Sequence, residues 1–282
     1  MRLAAILGVV LSITAAGVFA AATAANARQG QTSQGQLTPR QLEIEKQRLR
    51  LSSAETEARR EALTRLGSMH HPAASRVALS ALSDPSPIVR ATAAAAVLSL
   101  PAEESVASLL PLLADKDEFV RQQVAYALGQ TRSRAAVAAL IDLLADKKDS
   151  VRGSAAVALG QIADEAAVPS LAALLHPQSG LMPAKKNKKS KREQNPFVLR
   201  AAAHSLGQIG NRAGLPALIV VLQDEQAGDD LRREAAFALG AIGDSSAIPA
   251  LRGALTVRDP YLAQAAHEAI RKISRLQNSR GV

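Results

Sequence analysis

The chain has no cysteine and no tryptophan, and its aromatic side chains are two tyrosines and four phenylalanines. Without cysteine there is no disulfide, no thiolate nucleophile, no Cys-built zinc site and no cysteine-linked lipid anchor. Hydrophobic residues make up 48% of the chain against 2% aromatic, so the core has to be built from Ala, Leu, Val and Ile. Small aliphatic residues favour helices whose axes approach closely. They are poor material for an enclosed ligand pocket, which is usually walled by aromatic rings. Catalytic signatures are missing too. There is no His-Glu-x-x-His, no phosphate-cradling glycine loop and no Gly-x-Ser-x-Gly elbow. The histidines are His70, His71, His176, His204 and His267, and only His267-Glu268 forms a His-Glu pair. His70-His71 stands in a turn ahead of Pro72 with no carboxylate beside it in sequence. No catalytic residue, metal site or cofactor is expected, and the chain reads as a non-enzyme.

What charge there is has an uneven distribution. The net charge is +9, and Lys185, Lys186, Lys188, Lys189, Lys191 and Arg192 supply six positive charges within eight residues. Subtracting those six from +9 leaves +3 for the rest. The chain is therefore a near-neutral body with one basic loop, and no basic domain of the kind that binds nucleic acid.

The N-terminus reads as an address. Arg2 is followed by an uncharged stretch from Leu3 to Asn26, apolar at first and Ala-rich later, ending in Ala25-Asn26-Ala27. A positive start, an apolar middle and a small-x-small end describe a secretory signal peptide over residues 1–27, cleaved to leave Arg28. The rival reading is an uncleaved anchor, because the stretch exceeds the roughly 20 residues that span a bilayer. Either reading places the remainder outside the cytoplasm, in the periplasm or secreted, with no membrane insertion after cleavage. Residues 28–40 are rich in Gln, Gly, Thr and Ser and read as a flexible linker.

After residue 40 a period of 31 organises the chain. Val120-Arg121-Gln-Gln-Val-Ala-Tyr-Ala-Leu-Gly129 returns at Val151–Gly160 and again at Leu231–Gly240. Weaker copies extend the column marked by the Arg to 59, 90, 121, 152, 199, 232 and 263, with spacings of 31, 31, 31, 47, 33 and 31. Apolar or small residues at i, i+4, i+7 and i+8 make this segment a helix, and the Gly after its last Leu reads as a terminator. A second apolar run follows, as in Val168-Pro169-Ser-Leu171 or Ile248-Pro249-Ala-Leu251, with Pro near a helix start. It ends in an acidic residue six before the Arg: Asp84, Asp115, Asp146. Each such Asp can cap the next helix or pair with a repeated Arg. Residues 41–52 fit a charged N-terminal cap helix, and 275–282 a C-terminal tail.

These Val-Arg…Ala-Leu-Gly and Val-Pro-x-Leu strings resemble the HEAT repeats, in particular the short repeats of the phycobilisome lyase type. The resemblance implies an all-α, right-handed superhelix of about seven helical hairpins over 41–274. The 47-residue step holds 16 extra residues, which place the basic run in an inserted loop at 176–197. Some relatives are bilin lyases, and one HEAT family, deoxyhypusine hydroxylase, holds iron with several His-Glu pairs. The single pair here supports neither activity.

HEAT arrays bind partners along one helix of each repeat, and the variable residue before Ala-Leu-Gly forms such a column: Thr64, Ala95, Tyr126, Val157, His204, Phe237, Glu268. Gln122, Gln123, Ser154, Arg200, Arg233 and Glu234 flank it. Two readings of the column stand, an exposed anchor line for a protein partner or side chains filling grooves between repeats. The expected function is a monomeric, exported scaffold that binds a protein through Tyr126, Val157, His204, Phe237 and Gln123. The alternative is an acidic polymer, lipid or nucleic acid held by the Lys-rich loop. That loop has no aromatic interleaved for base stacking, which counts against nucleic acid.

Overall fold

The computed structural model describes residues 37–175 and 195–280. Among them every element is helical. The chain divides into two units, Met1–Lys46 and Gln47–Val282, and helix α1 (Pro39–Arg50) runs across the division. In the second unit long and short helices alternate. α2 (Thr56–Ser68) is followed by α3 (Pro72–Ala78), and α4 (Pro87–Ala96) by α5 (Ala102–Leu109). α6 (Glu118–Thr131) is followed by α7 (Val137–Leu143), and α8 (Asp149–Ile162) by α9 (Val168–Leu175). α10 (Pro196–Ile209) is followed by α11 (Leu215–Gln223), and α12 (Asp229–Ile242) by α13 (Ile248–Gly253). From α5 on, each short helix packs against the long helix that comes next. α14 (Pro260–Arg280) closes the row. The even-numbered helices carry the repeated string and pack side by side as one layer, and the shorter α3, α5, α7, α9, α11 and α13 form the second. Element ends differ slightly from the sequence reading. α1 begins at Pro39, inside the expected linker. α10 begins at Pro196, inside the expected loop, and α14 runs through residue 274 to Arg280.

One continuous aliphatic core lies between the layers. Leu66, Leu128, Leu159, Leu206 and Leu239, the Leu before each string glycine, are fully buried. No hairpin could bury these faces alone, and stacking supplies the missing wall. Pro169, Pro216 and Pro249 sit at the starts of α9, α11 and α13, where a missing N–H leaves nothing unpaired.

The glycines of the repeated string do not terminate helices. α6, α8, α10 and α12 run two residues past them, to Thr131, Ile162, Ile209 and Ile242. The residue after that takes the left-handed conformation: Arg132, Ala163, Gly210 and Gly243, at φ 52°, 58°, 72° and 74°. Chain reversal is then fixed by side-chain oxygens of Asp164, Asn211 and Asp244, each accepting from the backbone N–H two residues on. The string glycines instead mark where neighbouring long helices touch. A methyl group on Gly129 would lie 2.8 Å from Ala158 Cα, one on Gly207 2.8 Å from Ala238 Cα, and one on Gly240 2.8 Å from Ala269 Cα. Gly160 meets Ser205 in the same way, and the buried Ser205 hydroxyl donates to the Ala156 carbonyl at 2.8 Å. That contact joins α8 to α10, so the long-helix layer passes the inserted loop without a gap. In α4 the position holds Leu98, and there the α-helix stops at Ala96 and gives way to a 3₁₀ turn over Val97–Ser99.

Of the two roles the sequence allowed, the acidic residues before each Arg take the pairing one and cap no helix: their backbone bonds fall on the residue ahead of each long helix, and α6 is capped by Asp117. Asp84, Asp115 and Asp146 accept from the backbone N–H of Ser86, Asp117 and Lys148 at 2.8–2.9 Å. Each also receives both arms of an Arg from the preceding repeat. Arg59 reaches Asp84 at 2.7 and 2.9 Å, Arg90 reaches Asp115 at 2.7 and 2.8 Å, and Arg121 reaches Asp146 at 2.7 and 3.0 Å. The third arm of Arg90, Arg121 and Arg152 donates to the main-chain carbonyl of the Asp in its own repeat. The result is a chain of alternating side-chain and main-chain bonds running down four repeats. It stops at Arg152, because the residue 25 positions on is Pro177, and Arg152 turns to Asp149 instead. Beyond the insertion the pairing changes register. Arg232 donates to the Leu222 carbonyl, and the neighbouring Arg233 takes Asp259.

The bidentate bond from Arg90 holds the Asp115 carboxyl below its ordinary range. At Asp84 and Asp146 burial pushes upward, but the Arg and backbone bonds together outweigh it, and both also end low. A carboxyl depressed by folding stabilises the fold above the unfolded value, about 3.9, and loses that contribution as pH falls through the folded value. Asp115→Asn leaves the buried Arg90 without its carboxylate and is expected to cost about 3 kcal/mol at pH 7. Urea unfolding should show this, together with a shallower loss of stability between pH 5 and about 2 than in the parent. Arg90→Leu with Asp115→Leu should cost less than the single change, because no charge is stranded.

The helix contacts make a second prediction. Gly129→Ala and Gly240→Ala push a methyl into backbone and are expected to cost about 1–3 kcal/mol. At Gly67 the corresponding methyl clears Ala96 Cα by 3.3 Å. Gly67→Ala should be near neutral in the same unfolding assay, because the gain in helix propensity, about 1 kcal/mol, offsets the tighter contact.

Candidate functional site

The outward face of the long-helix layer is set by helical repetition. Residues seven apart return to the same side of a helix after nearly two turns. The variable column therefore has a companion seven residues earlier: Glu57, Ile88, Phe119, Ser150, Phe197, Asp230, Tyr261. Between them the two columns hold Phe119, Tyr126, Phe197, Phe237 and Tyr261, which are all the aromatic residues among those described. None is buried; they are 40–67% exposed. Ile88 adds a further apolar side chain at 38%.

Each predicted ridge residue can now be placed. Tyr126, His204 and Phe237 are exposed, Val157 is half-buried, and Gln123 is half-buried on the flank of Tyr126. The ridge thus lies open and does not fill inter-repeat grooves. Three aromatics of the same face, Phe119, Phe197 and Tyr261, escaped the sequence reading, which followed one position per repeat. Their spacing of seven from the column was the available signal. Two of them are positioned by neighbours. The Phe197 ring lies on Gly153, the residue that stands where α6 has Gln122. The Arg233 guanidinium sits 5.5 Å from the Tyr261 ring centre.

Polarity along the face is graded. On α4, α6 and α8 the outward positions are Ile88, Thr92, Ala95, Phe119, Gln122, Gln123, Tyr126, Ser150, Ser154 and Val157, with no charged side chain among them. On α10, α12 and α14 charge enters as pairs. His204 Nδ1 meets Glu234 Oε1 at 2.8 Å, Arg200 meets Asp230 at 3.5 Å, and Arg233 bridges Asp230 and Asp259 at 2.8 Å each. Arg233 holds the Asp259 carboxyl below its ordinary range.

Between α10 and α12 the face dips into a hollow of about 320 Å³. Gly207 and Ala238 face it at the helix contact, with Ala241 and Gln208 beside them, and Phe237 and the His204–Glu234 pair bound it. A wider depression of about 510 Å³ lies near the end of the row against Leu255, His267 and Arg271. No group of three or more His, Cys, Asp or Glu among the described residues could hold a metal. His71 caps α3, its Nδ1 accepting from the Ala73 N–H at 3.1 Å, and His70 takes the left-handed turn position before it at φ 46°.

The Lys-rich loop, Lys185, Lys186, Lys188, Lys189, Lys191 and Arg192, lies outside the described residues, as does the expected signal segment 1–27. Among the described residues no helix is long and apolar enough to cross a membrane.

Comparisons with known proteins bear on the fold. No curated protein matches. Among solved structures, the Escherichia coli protein YibA matches at 22% identity over 83% of this chain and 82% of its own, with a TM-score of 0.57. The complex of CpcE and CpcF of phycocyanin lyase from Nostoc sp. PCC7120 matches at 23% identity over 87% of this chain and 94% of its own, with a TM-score of 0.49. Human deoxyhypusine hydroxylase matches at 17% identity over 83% and 96%, with a TM-score of 0.36. At these identities the likeness is one of fold alone. The family model of HEAT repeats matches residues 46–129, 106–181 and 189–271. Those segments cover well over half of the chain and coincide with the stacked hairpins, and the chain belongs to the HEAT repeat family.

Proposed function

We propose that this chain is a non-catalytic scaffold that binds a protein partner along the outward face of its long helices. The observation that carries the reading is the placement of its aromatics. A chain so poor in aromatic residues would be expected to spend them in its core, where they contribute most to burial. Among the described residues the core holds none and one face holds all five. Tyrosine and phenylalanine ringed by short polar side chains are the usual material of binding hot spots. The uncharged Gln, Ser and Thr between them offer hydrogen bonds without the cost of stripping water from ions.

The chain acts outside the cytoplasm as a monomer. Export rests on the Arg2, apolar and Ala-x-Ala order of residues 1–27. The basic loop at 185–192 is an accessory to this reading.

The face is tested by tagging the chain at its C-terminus and recovering partners from its native host. Tyr126→Ala with Phe237→Ala should weaken recovery of the wild-type partner by about 30-fold or more, each anchor being worth about 2 kcal/mol. Helicity and unfolding midpoint should stay at parental values, because both side chains are half exposed. Undiminished recovery would remove the face from consideration. Export is tested by N-terminal sequencing of the protein from that host. Arg28 as the first residue is the expected result, and a chain still beginning at residue 1 or 2 in the cytosolic fraction contradicts it.

A further inference from the structure

We infer that the hollow between α10 and α12 is a built receptor for a single arginine side chain of the protein partner. The inference rests on the binding face proposed above and specifies one contact within it.

The hollow opens where a side-chain cover used earlier in the row is missing. At Gly129 and Gly160 the residue nine after the Arg column of the next long helix is a glutamine that reaches back over the glycine. In α8 this is Gln161, whose amide oxygen lies over Gly129. In α10 it is Gln208, whose amide oxygen lies over Gly160. In α12 the position holds Ala241, too short to reach, and the notch at Gly207 stays open. The chain thus fills two successive notches with a long unbranched side chain of its own and leaves the third for a guest of similar shape.

The walls select the guest's charge. Glu234 Oε1 is engaged by His204 Nδ1 at 2.8 Å. Its side chain is only 26% exposed, and Oε2 receives no hydrogen bond from any described residue. A half-buried carboxylate with one free oxygen calls for a strong donor, and a charged one offsets its desolvation best. The nearby cations are committed elsewhere: Arg200 to Asp230, and Arg233 to Asp230 and Asp259. The Phe237 ring beside the carboxylate offers a face on which a guanidinium stacks and a compact ammonium gains less. The methyl groups of Ala238 and Ala241 suit the apolar stem of the same side chain. A volume of about 320 Å³ holds one such side chain, and is too small for a folded element.

The test is a titration of the full chain, with alanine methyls labelled for NMR, by the capped tripeptide acetyl-Gly-Arg-Gly-amide and its Leu, Gln and Lys counterparts. The Arg peptide should shift the Ala238 and Ala241 methyls saturably, and at least fivefold more tightly than any other peptide. Glu234→Gln should weaken it at least tenfold. Ala241→Gln, which plugs the notch as Gln161 and Gln208 plug theirs, should abolish the shifts with helicity and unfolding midpoint unchanged. Equal or tighter binding of the Leu, Gln or Lys peptide would overturn the assignment, as would shifts that survive Ala241→Gln. Absence of saturable shifts at about 20 mM Arg peptide overturns it as well. Tyr126 lies two helices from the hollow and separates this inference from the one beneath it. Partner capture lost in Tyr126→Ala but kept in Ala241→Gln would sink the arginine site and leave the binding face standing.

Discussion

The close crossing of the long helices governs the rest of the molecule. Gly129 against Ala158, Gly160 against Ser205, Gly207 against Ala238 and Gly240 against Ala269 bring the helices together, with glutamine side chains lying over the first two. Such spacing leaves no room for a ring in the layer. The core between layers is filled by leucine, valine and alanine, and every described aromatic is displaced to the outside. The same glycines open a row of notches on that outside face. Packing and binding surface are thus two consequences of one contact: what makes the helices approach also decides what their exposed side can present.

Direction along the row is carried by the Arg–Asp pairs. Hydrophobic stacking is tolerant of sliding, whereas a bidentate Arg–carboxylate bond has a fixed geometry. Arg59 to Asp84, Arg90 to Asp115 and Arg121 to Asp146 therefore set each hairpin against the next in one register. A second set, Arg134 with Asp164 and Arg212 with Asp244, lies at the other end of the long helices. Its arginines are largely exposed, so it adds little stability. Where the 16-residue insertion removes the next carboxylate from the buried chain of bonds, packing alone carries the register, through Ser205 and its bond to Ala156. A repeat array accepts such an interruption because each unit depends only on its neighbours.

The face and its hollow follow from small departures within an otherwise regular pattern. Gly153, without a side chain where α6 has Gln122, makes a seat for Phe197, and Ala241, where α8 and α10 have glutamine, leaves the notch at Gly207 open. Regular positions hold the scaffold, and irregular ones distinguish one point on its surface from another. In a solenoid this is the natural division of labour, since the repeated residues are occupied by packing.

The sequence by itself determined the repeat, the seven long helices, the buried Leu column and the column through Tyr126, His204 and Phe237, because a periodic signal in composition maps directly onto a periodic structure; that this column lies exposed was decided by the stacking. It misassigned the glycines, since a helix stop and a helix crossing leave the same residue at the same place. Only the backbone dihedrals at Arg132 and Ala163, and the proximity of Ala158, tell them apart. It left open whether Asp115 caps the next helix or pairs with an arginine, and the tertiary structure shows it pairing across 25 residues of chain, its backbone bond going to the Asp117 N–H ahead of α6. The companion aromatics Phe119, Phe197 and Tyr261 and the hollow at Gly207 belong to the same class. They depend on which side chains from different helices come together, and that is decided by stacking geometry, which no single segment encodes.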